Sequence, residues 1–375
     1  MSPQLALLAA GGTGGHLFPA EALAAALEAR GLRVDLATDH RAARYVGAFP
    51  AGRMHILPSE TVRGRSPVAL AKTAYALASG LLAGLALMRR LKPAVVVGFG
   101  GYPTLPPLVA ARLRGVPTLI HEANGVMGRA NRLLAPRVTA IATGFPGICA
   151  GEPALAEKAV WTGNPLRAAV ISAAALPFPP TGEAFRLLVF GGSQGARVMA
   201  DVVPDAVARL EPALRARLRV VQQARPEDIE RVREAYARAG VAADIAPFFK
   251  DLPERMAQAH LVISRSGAST VAELAAIGRP AVLVPLPHAL DQDQAANARL
   301  IERAGGALLV PQDAFTPERV AGELRRLAAD PHALTAMAEA ARSAGALDAA
   351  DRLADLVVHL ARGAPIASFE GRSTE

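Results

Sequence analysis

Short apolar runs alternate with helical periodicity along the whole chain. Gln4–Ala10 predicts a strand, ends in a glycine-rich turn, and leads to a helical pattern over Leu17–Arg30. Arg33–Thr38 and Arg53–Leu57 predict the next strands, and a long helical pattern over Pro67–Arg90 feeds the buried run Ala94–Gly98. Pro117–Ile120, Val138–Ala142 and Ala159–Thr162 complete this set. Ser172–Glu183, carrying Pro177, Pro179, Pro180 and Gly182, reads as a linker. Beyond it the pattern restarts with Arg186–Phe190, then strands near Arg219–Gln222, Ala242–Ala246, Leu261–Ser264, Ala281–Val284 and Ala307–Val310, with helical segments between. Apolar strands alternating with helices imply parallel sheets covered on both faces. The expected architecture is α/β, two doubly wound domains facing a cleft. Ligands of such sheets sit at the carboxyl ends of the strands, so the turns after strands are where chemistry is expected.

Composition narrows this picture. A chain of 375 residues exceeds what one core usually holds. Hydrophobic residues at 51% against charged residues at 20% exclude a disordered chain. A single cysteine, Cys149, excludes a disulfide framework and cysteine-based zinc or iron–sulfur sites. The start, Met1-Ser2-Pro3-Gln4, lacks the basic opening of a secretory signal, and no uncharged apolar run reaches the roughly 20 residues of a spanning helix, so a soluble protein is expected. The net charge of +8 favours an anionic partner: nucleic acid, an acidic membrane or a phosphorylated substrate. Only four asparagines occur, Asn124, Asn131, Asn164 and Asn297, and all fall in the segments that follow.

Three strand–turn–helix junctions are glycine-rich: Gly11-Gly12-Thr13-Gly14-Gly15-His16, Gly98-Phe99-Gly100-Gly101-Tyr102-Pro103 and Gly191-Gly192-Ser193-Gln194-Gly195-Ala196-Arg197. Glycine admits a ligand close to the backbone, and a helix start offers free N–H groups to phosphate. None is a P-loop, because no Gly-Lys-Ser/Thr follows, and the first has Leu17 where a dinucleotide fingerprint needs its third glycine. A tight turn would need glycine for geometry alone, but three such loops in one chain favour ligand binding. His16 opens the first helix, either as a polar residue bonded to its own loop or as a general base at a cleft edge. His121-Glu122-Ala123-Asn124-Gly125 lacks the second histidine of a zincin; Asn124 is either a turn residue or one that orients a sugar hydroxyl. In Gly163-Asn164-Pro165-Leu166-Arg167, Arg167 can clamp a diphosphate or sit solvated on a helix face.

Ser264-Arg265-Ser266-Gly267-Ala268-Ser269-Thr270-Val271-Ala272-Glu273 runs from a strand into a helix. Thr270 and Glu273 fit a capping box, while Glu273 equally suits ribose hydroxyls. Asp291-Gln292-Asp293-Gln294-Ala295-Ala296-Asn297 is either an acid-enriched helix start or a set of amides aimed at sugar hydroxyls. Thr61–Lys92 holds six basic residues (Arg63, Arg65, Lys72, Arg89, Arg90 and Lys92) and no acid, and Ala123–Gly151 carries Arg129, Arg132 and Arg137 without an acid. Basic ends around an apolar middle suit a segment on an anionic membrane; the alternative is a buried helix with basic flanks.

Taken together, GGTGGHLFPA, GFGGYPTLPPLVAA, HEANGVMGRANRLLAP, TGNPLR, VFGGSQGAR, SGASTVAELAAIGRP and the DQDQAANA run resemble the MurG family of N-acetylglucosaminyltransferases, in its order and spacing from Gly11 to about Asn297. The resemblance implies the GT-B fold of two Rossmann-like domains: an acceptor- and membrane-facing domain over 1–165, a UDP-sugar domain over 166–345, a helix over 346–361 returning to the first domain, and a flexible tail over 362–375. It implies inverting transfer of N-acetylglucosamine from UDP-N-acetylglucosamine to the 4-hydroxyl of the muramyl sugar of lipid I, giving lipid II for peptidoglycan synthesis and hence for cell shape and division. No cofactor and no metal are expected, and donor and acceptor are expected to meet by domain closure. Carried over by position, Thr13, Gly14, Gly15, Asn124, Arg167, Ser193, Ala268, Ser269, Thr270, Val271, Ala272, Glu273 and Gln294 meet the donor, with Glu273 on the ribose and Phe249 at the uracil. His16 matches the family's candidate base. Asp293 stands where the family commonly has histidine, a departure in that run. The implied partners are the two substrates and an anionic membrane, with no nucleic acid, and the implied place is the cytoplasmic face of the inner membrane.

The rivals are another GT-B enzyme, such as a glycolipid glycosyltransferase or a UDP-sugar 2-epimerase; a nicotinamide oxidoreductase using Asp35 or Asp39 on a ribose; and a basic binding module without catalysis. Against a nucleic-acid module, the basic stretches carry Tyr75 but no regular stacking aromatics.

Overall fold

The structure, a computed structural model, describes residues 3–11, 14–40, 49–50, 52–59, 67–192, 195–287 and 293–371; the side chains of 14 and 67–74 lie outside that description. The chain divides into two compact units, Met1–Arg167 with Leu347–Glu375, and Ala168–Ala346. Arg167, expected in the second domain, thus falls in the first unit.

In the first unit the order is β1 (Leu5–Ala9), α1 (Gly14–Ala29), β2 (Arg33–Thr38), β3 (Arg53–Ile56), α2 (Pro67–Leu91), β4 (Val95–Gly98), α3 (Leu105–Leu113), β5 (Thr118–Glu122), α4 (Arg129–Leu134), β6 (Ala140–Thr143), α5 (Pro153–Ala156) and β7 (Ala159–Trp161). These strands form one parallel sheet in the order β3-β2-β1-β4-β5-β6-β7, with Leu7 opposite both Asp35 and Val96. The strand order reverses between β1 and β4, so the carboxyl ends of these two strands make the crevice where such sheets take ligands. No helix among the described residues is long and apolar enough to cross a membrane.

The second unit runs α6 (Ala168–Ala174), β8 (Phe185–Phe190), α7 (Arg197–Ala208), α8 (Pro212–Arg217), β9 (Leu218–Gln223), α9 (Ile229–Arg238), β10 (Ala242–Ala246), α10 (Leu252–Gln258), β11 (Leu261–Ser264), α11 (Ala268–Ile277), β12 (Ala281–Leu283), α12 (Asp293–Ala304), β13 (Ala307–Leu309), α13 (Pro317–Ala329) and α14 (Pro331–Ser343). Its parallel sheet is ordered β10-β9-β8-β11-β12-β13, with the reversal between β8 and β11. The proline-rich linker is shorter than its composition suggests, because 168–174 is already helix. Its Pro177 carbonyl accepts a hydrogen bond from Arg279 at 3.0 Å. That guanidinium is wholly buried and also donates to the carbonyls of Ala257, Ile277 and Gly278, and burial pulls its pKa down to about 10.

The last long helix, α15 (Ala349–Ala361), belongs to the first unit. Leu353, Leu356, Val357 and Leu360 bury against the core that holds Leu23 and Leu27 of α1. Burying four such side chains contributes on the order of 10 kcal/mol gross, before the cost of ordering the helix. Arg30, in the turn just after α1, bonds Asp351 at 3.0 Å and Asp355 at 2.9 Å, and Arg352 lies over the Trp161 ring at 5.3 Å. The flexible tail expected over 362–375 is corrected for its first part. Pro365 accepts from His359 at 2.9 Å, the Phe369 ring meets His359 edge-on, and Ile366 and Phe369 pack on the core. Apolar side chains hold this segment, whose only regular backbone among the described residues is the single 3-10 turn Ile366–Ser368.

Candidate active site

At the carboxyl ends of β1 and β4, His16 sits in the first turn of α1, whose helical geometry begins inside the glycine stretch at Gly14. Its Nδ1 lies 2.9 Å from the carbonyl of Gly11. A carbonyl only accepts, so in the neutral ring the hydrogen sits on Nδ1 and the lone pair on Nε2. The ring rests on the turn after β4. Gly100 and Gly101 have φ of +85° and +77°, values an L side chain rarely adopts, and a Cβ on Gly100 would stand 3.5 Å from His16 Nε2. The second glycine-rich junction therefore forms the floor under the histidine of the first. Gly15 is exposed beside it. Thr13 lies outside the described residues.

Strand β5 runs two residues further than its apolar pattern suggests and ends with buried His121 and Glu122. His121 Nε2 donates to the Gly163 carbonyl at 3.1 Å, its ring lies 5.5 Å from that of Phe99, and Nδ1 has no hydrogen-bond partner. Burial pushes its pKa down to about 4; the Gly163 carbonyl opposes this, and the charge of nearby His16 adds to it. His121 is thus neutral at pH 7. Glu122 accepts from Asn124 N at 2.9 Å, Asn124 Nδ2 at 3.2 Å, Gly128 N at 2.9 Å and Asn131 Nδ2 at 2.8 Å. Asn164 Nδ2 donates to Ala123 O at 2.9 Å. Three of the four asparagines thus shape one loop, in which the Asn124 amide is held by Glu122. Arg167 is half-buried with its guanidinium carbon 4.3 Å above the ring of Phe18, an α1 residue 38% exposed. No pattern in the sequence singles out Phe18 or the buried setting of His121 and Glu122.

The second unit has a matching arrangement. After β8, Gly195 N donates to Gly192 O at 3.1 Å. Gly191 N donates to Gln223 Oε1 at 3.0 Å, while Gln223 Nε2 donates to Pro247 O at 3.1 Å. This buried amide at the end of β9 ties the glycine turn to the segment before Phe249. Its neighbour Gln222 is also buried, and two adjacent amides ending an apolar run are the signal that marks this position. Phe249 is buried beneath the guanidinium of Arg255, 4.4 Å from its ring centroid. Ser193 lies outside the described residues.

Beyond β11, the capping box that Thr270 and Glu273 fit in sequence, one of the two readings, does not form. Gly267 is the N-cap of α11 with φ −62° and ψ 149°, and Thr270 is the third helical residue, too far in to cap. The first bond back is Val271 N to Gly267 O at 3.0 Å, which leaves the amides of Ala268, Ser269 and Thr270 without an intrahelical acceptor. Ala268, Ser269, Thr270 and Ala272 are half-buried, whereas Val271 lies fully in the core and Glu273 is 7% exposed one turn further on. Gln294, at the start of α12, accepts Leu286 N at its side-chain carbonyl (3.0 Å) and Ser266 Oγ at its main-chain carbonyl (2.8 Å). Asn297 Nδ2 donates to Ser266 O at 3.1 Å, so it braces the turn. Asp291 and Gln292 lie outside the described residues.

Both junction sets fall within regions that match known family models. Residues 6–143 match the glycosyltransferase family 28 N-terminal domain and residues 186–353 the glycosyltransferase family 28 C-terminal domain. A protein of Rhodopseudomonas palustris (strain BisB18), described as a UDP-N-acetylglucosamine–N-acetylmuramyl-(pentapeptide) pyrophosphoryl-undecaprenol N-acetylglucosamine transferase, is 63% identical over 363 residues, 96% of each chain. The chain belongs to the MurG branch of glycosyltransferase family 28. Within that family, the crystal structure of Acinetobacter baumannii MurG is 29% identical, with a TM-score of 0.78 over 95% of this chain and 99% of that one. A UDP-N-acetylglucosamine 2-epimerase at 14% identity has a TM-score of 0.65 over 95% of this chain and 96% of that one, and shares the fold alone. The two parallel-sheet units are thus the two halves of a family 28 glycosyltransferase. The C-terminal model runs on to residue 353, into α15, although that helix packs on the first unit.

Proposed function

We propose that this glycosyltransferase moves N-acetylglucosamine from UDP-N-acetylglucosamine to the 4-hydroxyl of the muramyl sugar of lipid I, with inversion, releasing UDP and forming lipid II. The observation that carries this reading is the 63% identity to a transferase of that description across 96% of both chains.

In the proposed mechanism the acceptor hydroxyl attacks the anomeric carbon in a single displacement. Its proton passes to Nε2 of His16, which keeps a lone pair because Nδ1 is spent on Gly11. The new bond runs from the acceptor O4 to the anomeric carbon, and the bond to the UDP oxygen breaks with its electron pair leaving on UDP. Gly14, Gly15, Thr13 and Asn124 meet the donor from the first unit, and Arg167 meets its diphosphate. Ser193 and the first-turn amides of α11, at Ala268, Ser269 and Thr270, stabilise the departing charge. Glu273 accepts from the ribose hydroxyls, Gln294 offers its amide nitrogen to the sugar, and the Phe249 backbone meets uracil. Val271 and Ala272 contribute the helix that carries these groups.

The same reading makes the protein peripheral to the cytoplasmic face of an anionic membrane. Tyr75, Leu82 and Arg89 recur every seven residues on α2, so they share one stripe, with Tyr75 77% and Leu82 69% exposed. On the adjoining α3, Val109 and Leu113 are exposed beside Arg112 and Arg114. Apolar side chains among arginines and without acids fit insertion among anionic headgroups.

The test is UDP release from UDP-N-acetylglucosamine, with and without a short-chain lipid I analogue, in the presence of EDTA. Acceptor-dependent release is the expected result. Conversion of the donor sugar without acceptor would support an epimerase instead, and bound nucleotide without release would remove the acceptor assignment.

A further inference from the structure

We infer that Arg225 is a donor-binding residue that contacts the diphosphate of the nucleotide sugar. This rests on the reading of the second unit as the donor unit. Arg225 stands two residues beyond β9, next to the glycine turn that follows β8. A Cβ on Gly195 (φ +68°) would lie 3.2 Å from Arg225 Cγ and 4.0 Å from its Nε, so the stem of the arginine lies along that turn. Its backbone is fixed from both sides. Pro226 restricts it to extended conformations, and its carbonyl accepts Asp228 N at 2.8 Å and Ile229 N at 3.1 Å at the start of α9.

Arg225 is half-buried as a residue, and its Nε is shielded from solvent with no hydrogen-bond partner. Among the described residues no carboxylate lies within ion-pair distance of it; Asp228, the nearest acid in sequence to be buried, pairs with Arg231 instead. Shielding a cation without a counter-charge is costly unless a ligand supplies one. Gly192 and Gly195 have φ of +87° and +68° and carry no side chain, so a phosphate can approach the backbone closely at these two positions. The uracil and ribose are neutral and give a cation no comparable gain. The chemistry at this position therefore selects the anionic part of the donor.

The test titrates the full chain and its R225Q and R225K variants with UDP and with uridine, at low and moderate salt. R225Q is expected to weaken UDP about tenfold or more, as for losing a hydrogen bond to a charged group, to leave uridine unchanged, and to flatten the salt dependence of UDP binding. R225K is expected to restore most of the UDP affinity. Equal losses for UDP and uridine would mean that Arg225 only shapes the turn, and unchanged UDP binding in R225Q would equally overturn the inference. A wild-type chain that binds no UDP would overturn the donor reading itself, and this inference with it.

Discussion

The Gly11 carbonyl holds Nδ1 of His16, so Nε2 is the ring nitrogen left to take a proton. Replacing His16 by alanine is therefore expected to lower kcat by roughly 10²–10⁴ with little change in donor KM. A near-normal kcat with a lipid I analogue would reject the base assignment. A histidine at a helix start beside glycines is legible in the sequence as a candidate base. Its floor of Gly100 and Gly101 is not, because nothing local links the two loops. His121 is visible there only as a polar residue after a strand, and its burial inside β5 gives it a different consequence. Its pKa falls from the ordinary 6.5 to about 4 on folding, so between those values the unfolded chain takes up the proton first. Its contribution to stability is therefore complete above about pH 6.5 and lost as pH falls to about 4, by up to about 3 kcal/mol. Trp161, the single tryptophan, sits in the first unit and reports its unfolding. Denaturant midpoints should drop across that pH window in the wild type and drop less in His121→Gln; parallel profiles would reject this origin. The capping box is misplaced for a simple reason: Gly267 caps α11 without a side chain, so the Thr-x-x-Glu pattern lies one turn too deep.

Elements are more legible than contacts. Arg33–Thr38 and Leu261–Ser264 are strands with the expected bounds, because buried parallel strands are near-continuous apolar runs. The ends of β5 and β9 escape that pattern because His121, Glu122 and Gln223 are polar yet buried, bonded to partners that only tertiary structure supplies. For α2 the composition indicates basic ends around an apolar middle, and the exposed heptad of Tyr75, Leu82 and Arg89 gives that a direction. Reversing charge at Arg89 and Arg90 together is expected to reduce flotation with anionic vesicles several-fold and to leave soluble-donor binding intact. Unchanged flotation would place the docking surface elsewhere.

At the scale of the molecule, two similar sheets are readable from one repeated pattern, whereas the return of the last helix to the first unit follows only from the family resemblance. The second unit is continuous in sequence, whereas the first is assembled from Met1–Arg167 and Leu347–Glu375. Leu356→Ala on α15 is expected to destabilise the first unit by about 2–5 kcal/mol, the cost of a cavity in a packed core. Asp355→Asn, which removes an exposed pair with Arg30, should cost no more than about 1 kcal/mol. Denaturation followed at Trp161 separates the two cases, and comparable losses would mean that the ion pair, not the apolar face, secures the helix. This returning helix also sets an order of assembly during translation. The sheet made first lacks its covering helix until 349–361 has left the ribosome, by which time every residue of the second unit has already been synthesised. The half of the enzyme born first is therefore the half completed last, and a ribosome stalled before residue 349 releases a nascent chain with the apolar flank of α1 uncovered, a substrate for chaperones rather than a working half-enzyme.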